Sequence, residues 1–184
     1  MKIVIATDFH LSNRLYGLEE LEENFYDRYN ELIRMTLEEE PDLFIQLGDI
    51  FDTPYPKPIA IKVYKEGIEK LDKTGIECYG IIGNHTLVQR KGFYPIDKIF
   101  EKMTVLDNDF IIKDNVFIGG VTYHPKTHDI KTVINDLYKA SVGCSQRILL
   151  LHQGLKNDIE IGYDFDESSL GLERPRERGK NPRV

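Results

Sequence analysis

Four times in this chain an apolar run of strand character stops at Asp, Asn or His. Lys2-Ile3-Val4-Ile5-Ala6-Thr7 leads into Asp8-Phe9-His10, and Leu43-Phe44-Ile45 leads through Gln46-Leu47-Gly48 into Asp49-Ile50-Phe51-Asp52. Cys78-Tyr79-Gly80-Ile81-Ile82 precedes Gly83-Asn84-His85, and Ile148-Leu149-Leu150-Leu151 precedes His152-Gln153-Gly154. No other pattern constrains the fold as strongly. In open α/β sheets ligands bind at the carboxyl ends of strands. Four such endings that use only Asp, Asn and His point to one metal centre at one edge of one sheet.

The segments between these runs fit that architecture. Residues 2–7 alternate too little for a surface strand and predict a buried parallel one. Leu21, Phe25, Tyr29, Leu32, Ile33 and Leu37 recur at helical spacing across 18–40. Glu19, Glu20, Glu22 and Glu23 suit the positive end of that helix, and Pro41 ends it. A rigid Pro-rich loop at 53–58 precedes a helix over 59–73, with Gly75 as its C-cap. A helix over 94–102 carries Ile96, Ile99 and Phe100 on its apolar face. Short runs at 105–106, 110–112 and 116–121 then predict an antiparallel or mixed section. A helix over 130–142, with Val133, Ile134 and Leu137 inward, and a strand over 147–151 follow. Residues 159–165 alternate with acidic side chains like an edge strand, and 173–184 have almost no apolar content and read as disordered.

A chain of 184 residues is one domain, or one domain with an appendage. Its apolar runs are too short to span a bilayer, and its start lacks the pattern of a signal peptide. Cys78 and Cys144 read as reduced core thiols of a cytoplasmic protein. The net charge of −7 counts mildly against a nucleic-acid binder, although metal ions in a cleft would offset carboxylates.

Carboxylate, imidazole and amide oxygen suit hard or borderline divalent ions. Asp49, in the most central loop, is the best candidate for a carboxylate shared by two ions. Asp8 and His10 can reach one ion together if their loop bends, Asn84 offers a carbonyl to the other, and His152 offers a ring nitrogen. Two ions roughly 3.5–4 Å apart polarise a phosphoryl group and activate a water between them. His85, next to Asn84, is placed to stabilise developing charge or protonate the leaving oxygen. Taken singly these motifs are ordinary loops and turns; the conjunction carries the reading. His124 and His128 flank Pro125 in a turn and read as surface residues.

Asp8-Phe9-His10, Gly48-Asp49-Ile50-Phe51-Asp52, Gly83-Asn84-His85 and His152 resemble the successive motifs of the calcineurin-like metallophosphoesterases, over residues 1 to about 155. The resemblance implies a four-layer α/β sandwich, two mixed β-sheets flanked by helices. Leu11, the Pro-rich loop, Gln89-Arg90-Lys91-Gly92 and the Leu149–Gly154 run are similar to one branch, the SbcD-type nucleases of the meiotic-recombination-eleven family. That branch implies two manganese ions and hydrolysis of DNA phosphodiesters at double-strand breaks. It also implies an SMC-like ABC ATPase as partner, and a nucleoid-associated location in the cytoplasm. It implies a homodimer built on helices at 59–73 and 90–102, with Ile61, Tyr64, Phe93 and Tyr94 as contact residues.

Three departures stand out. Thr86 occupies a position where the family usually has an acid that could orient His85, and Asp52 one where some members have His, so Asp52 is left out of the ligand set. The family's late Gly-His-x-His is absent, since no His follows His152. The expectation is therefore a C-terminally incomplete nuclease domain over 1–170, a disordered basic tail over 171–184, and loosely held manganese. Two other readings stay open: a small-molecule metallophosphodiesterase, and a non-catalytic dimerisation or scaffold module.

Overall fold

The computed structural model describes residues 1–13, 16, 18–87, 95–123 and 127–153. Four parallel strands, β1 (Ile3–Ala6), β2 (Leu43–Leu47), β3 (Glu77–Ile81) and β4 (Thr104–Val105), form the first sheet in the order β1-β2-β3-β4. Register is direct, with Ile3 opposite Leu43 and Leu43 opposite Glu77. Helices α1 (Glu19–Glu39) and α2 (Pro58–Lys73) are its first two crossovers. Right-handed crossovers that all step in one direction place their helices on one face of a sheet. The other face is left for a second sheet.

That sheet contains β5 (Asp109–Lys113), β6 (Val116–Val121) and β7 (Gln146–Leu151), with β5-β6 antiparallel and β6-β7 parallel. Helix α3 (Thr127–Ala140) precedes β7. Three apolar clusters mark the three interfaces of a four-layer sandwich. Tyr29, Ile33, Tyr64, Ile68 and Leu71 pack from α1 and α2 against Phe44 and Cys78. Leu43, Ile45 and Ile81 meet Val116, Ile118 and Leu150 between the sheets. Phe117, Val121 and Leu137 join α3 to the outer face. Close approach is built into the sequence: a Cβ on Gly120 would lie 2.4 Å from Leu106 Cβ, and one on Gly67 would lie 2.4 Å from the Tyr29 hydroxyl.

Most expected elements form within a few residues of their predicted bounds. Gly75 follows α2 at φ +82° and donates its N–H to Asp72 O at 3.0 Å, as a C-cap requires. Other details differ. The first sheet is wholly parallel among the described residues, and only the second is mixed. β1 is parallel but not buried; it lies at the sheet's edge with Ile5 51% exposed. Edge or centre is decided by pairing order, which a local run does not encode. The helix expected over 94–102 is a single 3-10 turn at Ile96–Ile99. Phe100 turns extended, so that Phe100 and Met103 drop into the core and Thr104 pairs with Tyr79. Tertiary packing overrides helical propensity there. Glu22 is not a solvated helix-start charge: it is buried, accepts a hydrogen bond from the Tyr26 hydroxyl at 2.6 Å and pairs with Lys57 at 2.5 Å.

Tyr64, expected at a dimer surface, is fully buried, its ring against Phe51 and Phe100. Ile61 is partly buried against the same cluster. Cys78 and Cys144 are free thiols, and burial pushes the Cys78 thiol up to about 12. His128 belongs to α3 rather than to a turn. Phe93, Tyr94, His124, the strand expected at 159–165 and the tail lie outside the described residues. Among the described residues no helix is long and apolar enough to cross a membrane.

Candidate metal centre

The chains leaving β1 and β2 stay paired beyond the sheet. His10 N–H donates to Asp49 O at 3.1 Å, Leu11 N–H to Ile50 O at 3.0 Å, and Asp52 N–H to Leu11 O at 3.1 Å. Leu11, Ile50 and Phe51 are fully buried, so apolar anchors sit beside the candidate ligands in both loops. The buried Gln46 amide donates to Gly48 O, which also accepts Asp8 N–H at 3.3 Å. The bend that Asp8 and His10 need is present. Asp8 (φ +57°), His10 (φ +46°) and Asp49 (φ +52°) all adopt the left-handed conformation. For non-glycine residues this is a strain that clusters at functional sites.

Asp49 is the hub. It is 2% exposed. Its Oδ1 accepts His85 N–H at 3.0 Å. Its Oδ2 lies 3.2 Å from His152 Nε2 and 3.9 Å from the Nε2 atoms of His10 and His85. Gly83 permits this packing: a Cβ there would sit 2.1 Å from Asp49 Oδ1. His152 Nδ1 donates to Leu47 O at 2.7 Å, which turns Nε2 towards Asp49 and Asn84 Oδ1, the latter at 3.0 Å. Because β7 ends beside β2, the fourth strand ending reaches the same edge from the second sheet.

All six residues singled out in the sequence, Asp8, His10, Asp49, Asn84, His85 and His152, therefore meet at one edge. Five of them, with Asp52, supply ligand-type atoms to two trios, each within 4.8 Å: Asp8, Asp49 and His152, and His10, Asp52 and His85. Asp52 is the residue that sequence reasoning left out. Its Oδ1 lies 3.2 Å from His10 Nδ1, and its backbone O accepts His85 Nδ1–H at 3.0 Å. Asp52 thus orients the His85 ring, the role that Thr86 does not fill. No local pattern marks Asp52; the bridge between Leu11 and Phe51 brings it beside His10.

The charges are mutually supporting. Hydrogen bonding to His10 is the main cause that lowers the Asp8 pKa, with Thr7 and the charges of His152 and His10 adding to it against burial. Burial opposes ionisation of Asp49, but His152 and His85 outweigh it and lower its pKa. Hydrogen bonding to Asp8 raises the His10 pKa, and the charges of Asp49, Asp52 and Asp8 more than offset its burial. Burial disfavours the His152 imidazolium, yet Asp49, Leu47 O and Asp8 hold its pKa above the ordinary value. Asp8 and Asp49 on one side and His10 and His152 on the other thus favour one another's charged forms, a role that a divalent cation would take over for the carboxylates. The donor set of carboxylates, imidazoles and one amide oxygen fits such ions.

Comparison with known proteins agrees with this geometry. Residues 1–180 match the family described as calcineurin-like phosphoesterase. The chain is 34% identical over 178 residues to the DNA double-strand break repair protein Mre11 of Methanococcus maripaludis, covering 90% of this chain and 47% of that protein. It is 28% identical over 176 residues to Mre11 of Methanocaldococcus jannaschii, covering 92% of this chain and 48% of that one. The chain spans about half the length of the curated relatives it matches. Among solved structures, TT1561 of Thermus thermophilus shares the fold at a TM-score of 0.52 and 11% identity, over 90% of this chain and 73% of that one. With the four strand endings gathered around Asp49 and the match running from residue 1 to 180, this chain belongs to the calcineurin-like phosphoesterase family.

Proposed function

We propose that the chain is the catalytic core of a metal-dependent DNA nuclease acting in double-strand-break repair. The observation that carries the reading is the Asp49 hub, with three imidazoles and an amide oxygen around one buried carboxylate. The similarity to proteins named Mre11 supports DNA as the substrate. In this reading Asp8, His10, Asp49, Asn84 and His152, joined by Asp52, would hold two manganese ions. Bound there, the ions supply Lewis acidity to a phosphodiester and lower the pKa of an attacking water.

The chain's own residues do the rest. His152 is held by Leu47 O with Nε2 inward, so it presents a lone pair without searching for its orientation. His85 donates Nδ1–H to Asp52 O and keeps Nε2 on the site side. Its side chain is 25% exposed, so a bound substrate can reach it. It is the group we assign to protonate the leaving oxygen. The whole protein would work as a cytoplasmic, nucleoid-associated homodimer with an SMC-like ABC ATPase. On α2 the exposed face that includes Ile59, rather than Tyr64, is available for a dimer contact.

The test is cleavage of single-stranded DNA with manganese, with Asp49→Ala and His85→Ala as controls. Cleavage that both substitutions abolish is expected. Hydrolysis of bis-p-nitrophenyl phosphate without any DNA cleavage would instead favour a small-molecule phosphodiesterase. No metal binding and no hydrolysis would favour a scaffold module.

A further inference from the structure

Ser12 and Asn13 follow the first motif and take no part in the chemistry proposed above. Their backbone is pinned from several sides. Asn13 N–H donates to His10 O at 2.9 Å, closing a turn in which Ser12 has φ +76°. Asp52 N–H donates to Leu11 O at 3.1 Å. Ser12 Oγ accepts the backbone N–H of Lys57 at 3.0 Å, just before α2. Lys57 Nζ in turn pairs with the buried Glu22 of α1 at 2.5 Å, so the turn is tied to both helices. From this fixed turn the half-buried Asn13 side chain reaches across to the second loop, where its Nδ2 donates to Asp52 Oδ1 at 3.0 Å.

Two imidazoles flank that oxygen. His10 Nδ1 lies 3.2 Å and His85 Nδ1 3.6 Å from it. His85 Nδ1 is already committed to Asp52 O at 3.0 Å, so His10 is the ring that Oδ1 orients. With Nδ1–H directed at Asp52, His10 keeps Nε2 for the side that faces Asp8 Oδ1 at 3.6 Å and Asp49 Oδ2 at 3.9 Å. A carboxylate behind an imidazole fixes the ring and its tautomer in this way at metal sites. We propose that Asn13 is a positioning residue for the centre: its amide holds Asp52 Oδ1 against His10 Nδ1, and thereby sets which His10 nitrogen an ion meets. The donor is neutral, which suits the task. A Lys or Arg would grip the same oxygen harder but would bring a positive charge to the site of a cation. The inference rests on the metal-site reading above and adds a residue outside its ligand set.

Manganese chloride titrated calorimetrically into the full chain tests this, with melting temperatures measured alongside. Asn13→Leu, close in shape but without the donor, weakens manganese binding by roughly tenfold, the size seen when a partner behind a metal ligand is lost. Asn13→Gln keeps an amide that reaches the same oxygen and binds within about threefold of the unchanged chain. In an Asp52→Ala background Asn13→Leu changes the affinity no further, because the group it acts through has gone. The inference is overturned if Asn13→Leu lowers only the melting temperature, if Asn13→Gln binds no better than Asn13→Leu, or if the losses from Asn13→Leu and Asp52→Ala multiply. Should Asp52→Ala bind too weakly to measure, Asn13→Leu against Asn13→Gln decides; should Asn13→Leu fail to fold, Asn13→Ala takes its place. An unchanged chain that binds no manganese refutes the metal-site reading itself, which is a different result from an unchanged chain that binds and an Asn13→Leu variant that binds equally.

Discussion

Asp49 and Gly83 are interdependent at the scale of single atoms. With a Cβ on Gly83 only 2.1 Å from Asp49 Oδ1, Gly83→Ala must displace either the turn or the hub. It should cost about 1–3 kcal/mol of stability in denaturant unfolding, the usual range for overpacking, and weaken manganese binding as well. The charged groups set a second expectation. His10 and His152 have raised pKa values, so their contribution to the metal-free fold is full below the ordinary histidine value of about 6.5 and is lost as pH rises through their folded values. Asp8 and Asp49 have lowered values, so theirs is full above about 3.9 and is lost as pH falls through their folded values. Metal-free melting temperature should therefore peak between about pH 4 and pH 6.5 and decline towards pH 8. Manganese affinity should move the opposite way, strengthening from about pH 6 to pH 8 as the imidazoles shed the protons that compete with the ion. Thermal melts and calorimetry across that range check both.

At the scale of elements, α2 is anchored by Tyr64. Its ring packs on Phe51 and Phe100, and its hydroxyl donates to Met103 Sδ at 2.7 Å. Tyr64→Ala should destabilise by about 3–5 kcal/mol, whereas Tyr64→Phe should cost only about 1 kcal/mol and leave the oligomeric state unchanged on a sizing column. The same residue shows what a sequence does and does not disclose. Helical spacing located α2 to within one residue, but it does not say whether Tyr64 points towards a partner or into the core. Strand endings were legible because an apolar run followed by Asp or His is a local pattern. Asp52 was not, because its place depends on Leu11 pairing with Phe51, a contact between residues far apart in the chain. The turn at Ile96–Ile99 was misread as a longer helix for the same reason: β3 dictates where the chain must straighten.

At the scale of the molecule, the candidate centre draws Asp8, Asp49 and Asn84 from loops of the first sheet and His152 from the end of the second. An ion held by Asp49 and His152 would cross-link the two sheets and favour the folded state by mass action. At a hundredfold excess over Kd that amounts to about 2.7 kcal/mol. For a chain of this size the expected rise in melting temperature on adding manganese is roughly 5–10 °C, reversed by chelator. His152→Ala should remove most of the rise while leaving the first sheet's loops in place. A rise that His152→Ala leaves untouched would mean that the ion does not bridge the sheets.

The left-handed backbone at Asp8, His10 and Asp49 has a consequence beyond chemistry. Glycine or asparagine would sit at those three positions with less strain. Relieving the backbone there would also forfeit the Asp–His contacts on which the metal-free loops rely. Backbone strain and side-chain pairing therefore pull in opposite directions at these three positions, and the loops are held in a costly conformation by the same side chains that would bind the ion.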